Sequence, residues 1–329
     1  MRAPFARARW APALLILTAL SGCEKVQWGG AEVRVVQPPP PEGAAQSTPT
    51  PAEETDLGLP RGTVIFHVVR SQGQDRIIPV AEVSGDSLRT LAKPGNVSPQ
   101  AYEQRFRQAV LPPAGEFVLF RRGARVGTFT LRGPGGLTSC GVPVGVGQAT
   151  TVAAAAADQE FLAFRKGLEP GVVGEFSPPQ VAGPVIRYAP LVAERLVLTG
   201  GLPRPGSWGR AQRDLQALDL VRGGSPEMAT TFLSGDNLAP GPGEKEGWSV
   251  FYVASYEQRT GYNPIYSEVS DYRKSPKRAP KAIDYLNWNG KGGNDLLVQV
   301  FGPTDAWYEA ISNDANHGWK KVWEGKACR

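Results

Sequence analysis

The stretch WSVFYVASY, residues 248–256, alternates in the manner of a strand with one buried face. Much of the chain beyond residue 180 has this character, with β-branched and aromatic runs broken by Gly, Asn and Pro. Six of the eight Trp and eight of the nine Tyr lie after position 187. The connections there are short. LLVQVFGPTDAWYEAIS, residues 296–312, reads as two strands and a turn, and 18 residues separate Asp295 from Asp314. A strand–helix–strand crossover takes about 30, so a doubly wound parallel sheet has no room. The expected fold is mainly β with a few short helices (α+β), and its C-terminal half is β-rich.

Upstream the pattern is mixed. GTVIFHVV, residues 62–69, is the first strand candidate. SPQAYEQRFRQAVLPP reads as a helix with Ser98 as N-cap, Pro99 in the first turn and Pro112 ending it. Tyr102, Phe106, Ala109 and Val110 share one face of that helix. GEFVLFRRGARVGTFTL is expected to be a hairpin about RRGAR, and AAAAADQEFLAFRKG a second helix closed by Gly167. The Pro/Gly-rich passage 167–184 marks a seam near residue 180. This composition shift leaves one continuous domain or two open. The organisation expected is 1–22 signal, 23–60 tether, 61–180 mixed α+β, and 181–329 aromatic-rich β.

The address lies at the N-terminus. Arg2, Arg7 and Arg9 precede an apolar run and Leu20-Ser21-Gly22-Cys23, the layout of a secretory signal. The run is shorter than the ~20 residues a spanning helix needs. Leu-Ser-Gly-Cys resembles a bacterial lipobox. That resemblance implies acylation of Cys23, cleavage before it, and a lipid-anchored protein of the bacterial cell envelope. Glu24 after the cysteine favours the outer membrane by the enterobacterial sorting pattern. Residues 24–60, rich in Pro and small polar residues, hold too little apolar surface to repay ordering.

Without the signal's three arginines, 33 basic face 31 acidic side chains, so the mature net charge is near +2. That gives no reason to expect a nucleic-acid partner. YRKSPKRAPK, Tyr272–Lys281, is locally basic and reads as a solvated loop. With Cys23 acylated, only Cys140 and Cys328 remain, and two thiols in an exported chain are expected to pair.

LDLVRGGSPEMATTF from Leu218 and LNWNGKGGNDLLVQV from Leu286 align without gaps, Asp219 on Asn287, Gly224 on Gly292 and Glu227 on Asp295. Both resemble the DxNGDGxxDLxV turn of FG-GAP/VCBS β-repeats, which implies propeller-like repeat blades. The offset of 68 residues is long for one blade. Calcium needs several oxygen ligands in one loop. Val221 and Gly223 in the first copy offer no side-chain oxygen, and Lys291 in the second is a cation. No metal site and no cofactor is expected.

A second resemblance competes. GDSL at 85–88, GGND at 292–295 and DANH at 314–317 resemble the blocks of the SGNH/GDSL ester hydrolases. It implies Ser87 as nucleophile, Asp314 as orienting acid and His317 as base, with Gly85 and Asn294 as oxyanion donors. The short interval between the last two blocks opposes it. GDSL also suits a turn with Asp86 capping a short helix, and His67, in an apolar run, reads as a packed residue. The expected role is therefore non-enzymatic binding or scaffolding, with an envelope protein or a glycan as partner and the aromatic half as a stacking platform.

Overall fold

The computed structural model describes residues 57–71, 73–171, 175–177, 183–221, 225–290, 293–314 and 318–325. Residues 54–329 form one compact unit. The strands are β1 (Val64–Val69), β2 (Asp75–Ser84), β3 (Ser87–Thr90), β4 (Glu116–Arg121), β5 (Ala124–Leu137), β6 (Pro143–Thr151) and β7 (Glu160–Arg165), with helix α1 (Pro99–Val110) between β3 and β4. Six of them run in the order β1-β7-β4-β5-β6-β2, and β1 pairs with β2 to close the ring. All these pairings are antiparallel. β3 folds back on β2 as a seventh strand.

A six-stranded barrel is narrow, so side chains must fill it. Phe66, Phe117, Phe129 and Phe161 pack inside, and Phe66 meets Phe117 edge-on at 5.0 Å. Gly147 makes room for this: a Cβ there would lie 2.1 Å from Thr130 O and 2.6 Å from the Phe129 ring. Register shifts after Leu131 and after Pro134 bend β5 around the corner. α1 adds Tyr102, Phe106 and Val110 to the same core. Its first turn is held by Ser98, whose Oγ accepts from Ala101 N at 3.2 Å. Leu57 and Leu59 also pack on this core, so the end of the expected tether belongs to the barrel.

The rest of the chain opens with helix α2 (Gly183–Thr199) and the single turn α3 (Trp208–Ala211). Two four-stranded antiparallel meanders follow. The first is β8 (Gln212–Leu218), β9 (Glu227–Ser234), β10 (Trp248–Glu257) and β11 (Gly261–Asp271). The second is β12 (Ala279–Leu286), β13 (Asp295–Phe301), β14 (Ala306–Asp314) and β15 (Gly318–Glu324). The two aligned sequence segments fall at equivalent places, the first hairpin of each meander: Leu218 and Leu286 end β8 and β12, and Glu227 and Asp295 begin β9 and β13. The long offset has a local cause. Residues 235–247 join β9 to β10, whereas only 302–305 join β13 to β14.

Period-two alternation stacks these parts in layers. Trp248, Val250, Tyr252 and Ala254 of β10 face α2, while Phe251 and Val253 face the second meander. Leu296, Val298 and Val300 of β13 return that contact, and Leu297 turns to the barrel. There Ile283, Leu286 and Trp323 meet Ile65, Val118, Phe120, Leu162 and Phe164. The order is helices, first meander, second meander, barrel.

Two local expectations are corrected, and one helix was not expected. The segment expected as a helix over 153–167 is one 3₁₀ turn, Ala153–Ala155, and then β7. Phe161 and Ala163 enter the barrel while Leu162 and Phe164 cover its outside, a demand only a strand meets. Asp86 caps no helix: Gly85-Asp86 is the tight turn between β2 and β3, with Ser84 opposite Ser87 and Gly85 at φ 57°. α2 was hidden by its prolines, Pro184 in the first turn and Pro190 inside. Its Val185, Ala189, Val192 and Val197 nevertheless form one buried stripe.

The barrel is pinned to β12 by the β4–β5 turn. Gly123 N donates to Tyr285 O at 3.1 Å, and Arg121 Nη1 to Ile283 O at 2.7 Å. Asp284, 1% exposed, accepts from the backbone N–H groups of Arg122 and Tyr285 and faces Arg121 at 3.6 Å. Removing one partner of a buried pair strands the other, at a cost of about 3–5 kcal/mol. We expect Arg121→Ala to lose about that much in urea unfolding. Adding Asp284→Asn should recover part of the loss, and strictly additive single losses would disprove the coupling.

Candidate functional site

Two places concentrate polar chemistry between layers: the barrel–meander seam and the paired repeat turns. At the seam, His67 of β1 is 1% exposed. Its Nδ1 lies 2.9 Å from the Tyr308 hydroxyl, and its Nε2 3.6 Å from Glu160 Oε1. Glu160 also receives Lys281 from β12. Burial pushes the Glu160 carboxyl up, but His67 and Lys281 outweigh it and hold it at about 2. Nearby, Gln216 bridges Asp214 at 3.1 Å and Ala282 O at 2.7 Å, while burial lifts the Asp214 carboxyl to about 6. His67 is thus packed in an ionic seam.

The basic stretch Tyr272–Lys281 divides: Arg273 and Lys274 are exposed beside Asp271, as expected of a solvated loop, whereas its second half is turned inward. Lys277, 4% exposed, donates to Asp236 Oδ1 at 2.6 Å and to the carbonyls of Asn237 and Ala239. Arg278 joins Glu268 and Glu309, and Lys281 joins Glu160. Lys277, Arg278 and Lys281 each have a carboxylate from another strand or loop, which sequence alone does not place opposite them.

The repeat turns are closed by their own carboxylates. Glu227 Oε2 accepts from Leu220 N at 2.9 Å. In the second turn, Asp295 accepts from Ser312 Oγ and, at 3.2 Å, from Asn289 Nδ2. Asn294 Nδ2 donates to Asp219 O at 3.0 Å, tying one turn to the other. Gly224 and Gly292 lie outside the described residues. Among the described residues no group of three or more His, Cys, Asp or Glu side chains is arranged to hold a metal ion.

Of the hydrolase candidates, Ser87 opens β3, Asp314 ends β14 and Asn294 lies in the second repeat turn. Ser87 Oγ donates to Ser84 O at 3.1 Å on the exposed β2–β3 turn. A Cβ on Gly85 would meet nothing within 4 Å. Asp314 pairs with Lys320 at 2.6 Å. His317 lies outside the described residues. The Asn294 amide is spent on the repeat turn. As for the stacking platform, Trp248, Trp288 and Trp323 are at most 9% exposed, and of the Trp and Tyr rings beyond residue 187 only Tyr256 counts as exposed.

The concave surface that sequence reasoning missed is a cleft between barrel and second meander, with about 70 Å³ of free space. Leu91, Thr138 and Cys140 line one wall, and Trp307, Tyr308 and Trp323 the other. The strands forming it are distant in sequence, so only their pairing could have revealed it. Cys140 is disulfide-bonded; Cys328, its expected partner, and Cys23 lie outside the described residues. Gly325 lines the same cleft. Three further residues span at most ~11 Å. No protein-family model, curated protein or solved structure matched the chain.

Two outcomes are expected. A Cys140–Cys328 bridge would close a loop worth about 5 kcal/mol on the chain-entropy account. Non-reduced peptide mapping should recover the two peptides linked, and reduction should lower the Tm; two free thiols would refute the bridge. Burial raises the Asp295 carboxyl to about 6, and the Ser312 hydrogen bond offsets only part of that rise. An acid raised in the fold contributes stability that is complete below its unfolded pKa and fades as pH climbs through about 6. Between pH 4 and 7 we expect Asp295→Asn to gain about 1–3 kcal/mol on wild type. A pH-independent difference would reject this origin.

Proposed function

We propose that this chain is a lipid-anchored protein of the bacterial cell envelope, acylated on Cys23. Its folded part then serves as a non-enzymatic binding or scaffolding unit. The observation that carries the proposal is the Arg-rich, apolar N-terminus ending in Leu20-Ser21-Gly22-Cys23. Glu24 supports placement in the outer membrane. No helix among the described residues is long and apolar enough to cross a membrane.

A binding role is supported by how the ionisable side chains are used. At the seam and in the repeat turns they are spent on one another or on backbone groups, which suits a rigid platform. The two equivalent hairpins support descent of the meanders from FG-GAP/VCBS-type β-repeats whose calcium ligands were replaced by internal carboxylate bonds. The cleft is the favoured contact for an envelope protein or a glycan, through the half-buried Trp307 and Tyr308.

Changing Cys23→Ala tests the anchor. In a bacterial host, the wild type should incorporate labelled palmitate and pellet with membranes. The variant should lose the label and move to the soluble fraction. A variant that keeps both properties would sink the lipobox assignment.

A further inference from the structure

The helical layer over the first meander has a charge unlike the rest of the chain. Residues 183–213 hold five arginines, at 187, 195, 204, 210 and 213, and one acid, Glu194. All five arginines are exposed, and Glu194 is occupied by Arg204 at 2.7 Å. The nearby Asp236 is spent on Lys277, and Glu244, whose carboxylate lies beside Gly235, is the acid at the edge of this face. A mature chain near neutrality thus concentrates positive charge on one outer face.

The same face carries apolar side chains where a surface helix is ordinarily polar. Opposite the buried stripe of α2, Leu191 and Leu198 are 51% and 54% exposed. They stand seven residues apart, two helical turns, and share that outward side with Arg187 and Arg195. Beside α3, Arg210 and Arg213 line an open groove with Ser207 and Gly235.

Arginines around projecting leucines, on a helix with no further layer over it among the described residues, match the needs of an interfacial helix. The leucines can enter the acyl boundary while the guanidinium groups meet phosphates. We propose that the α2–α3 face docks on an anionic lipid surface, with headgroup phosphates as the recognised groups. The proposed acyl anchor supplies proximity: a tether from Cys23 to Leu57 keeps the module within reach of the bilayer, so a weak contact is populated. An acidic protein would answer to the arginines but leave the leucines without a role.

The test uses the full mature chain carrying Cys23→Ala, so that no acyl group contributes and the result is independent of the anchor assignment. It is sedimented with phosphatidylcholine vesicles containing or lacking phosphatidylglycerol. We expect partitioning at least about tenfold stronger on the anionic vesicles, weakening as salt is raised. Leu191→Glu with Leu198→Glu, and separately Arg187→Glu with Arg195→Glu, should each cut it about tenfold or more. Arg132→Glu on the barrel should leave it unchanged, and melting curves verify that every variant is folded. Equal partitioning on both vesicles, or anionic binding that both double variants retain, would overturn the proposal.

Discussion

Ile65, Val118, Phe120, Leu162 and Phe164 point out of the barrel, yet none is more than 3% exposed. Each would lose roughly 1.5–3 kcal/mol if left in water. The second meander covers them and is apolar on its other side as well. It therefore needs the first meander, which in turn needs α2. The architecture follows from this chain of coverings. Each sheet is too apolar to stand alone, and among the described residues the sequence of layers ends at α2.

Between the layers, charge does what apolar contact cannot. Hydrophobic packing is non-directional and tolerates sliding. The Arg121 fork, the Asp284 carboxylate with its two backbone donors, and the Glu160–Lys281 pair each require one relative position. The seam titrates in opposed directions. Glu160, held near 2, contributes stability above the ordinary glutamate range that is lost as pH falls through its depressed value. Asp214, lifted to about 6, contributes in the reverse sense, its share fading as pH rises from about 4 through 6.

Local chemistry carried much of the fold into the sequence. Ser98 and Pro112 bracket α1, RRGAR lies at the β4–β5 turn, and FGPTD separates β13 from β14. What was hidden depends on distant partners. EFLAFR resembles a helix end until both its faces are seen to be buried, and the prolines of α2 masked a stripe that only the first meander explains. The β1–β7 pairing, between strands some 90 residues apart in the chain, has no local signature. The ionic seam was equally illegible, since His67, Glu160 and Lys281 sit on three strands far apart in the chain. The repeat turns were visible because their glycines and acids are consecutive.

Closure of the barrel on β1 bears on how the molecule is made. β1 bonds to β2 soon after it in the chain but also to β7, at residues 160–165. A polypeptide produced from its N-terminus must hold β1 with one edge open until β7 exists. Its outward apolar side stays uncovered until the second meander is complete. Loop-closure entropy makes such long-range pairing slow, and open strand edges recruit other chains. Nascent molecules therefore pass through an aggregation-prone stage that ends with β15, and truncation within the second meander would arrest them there.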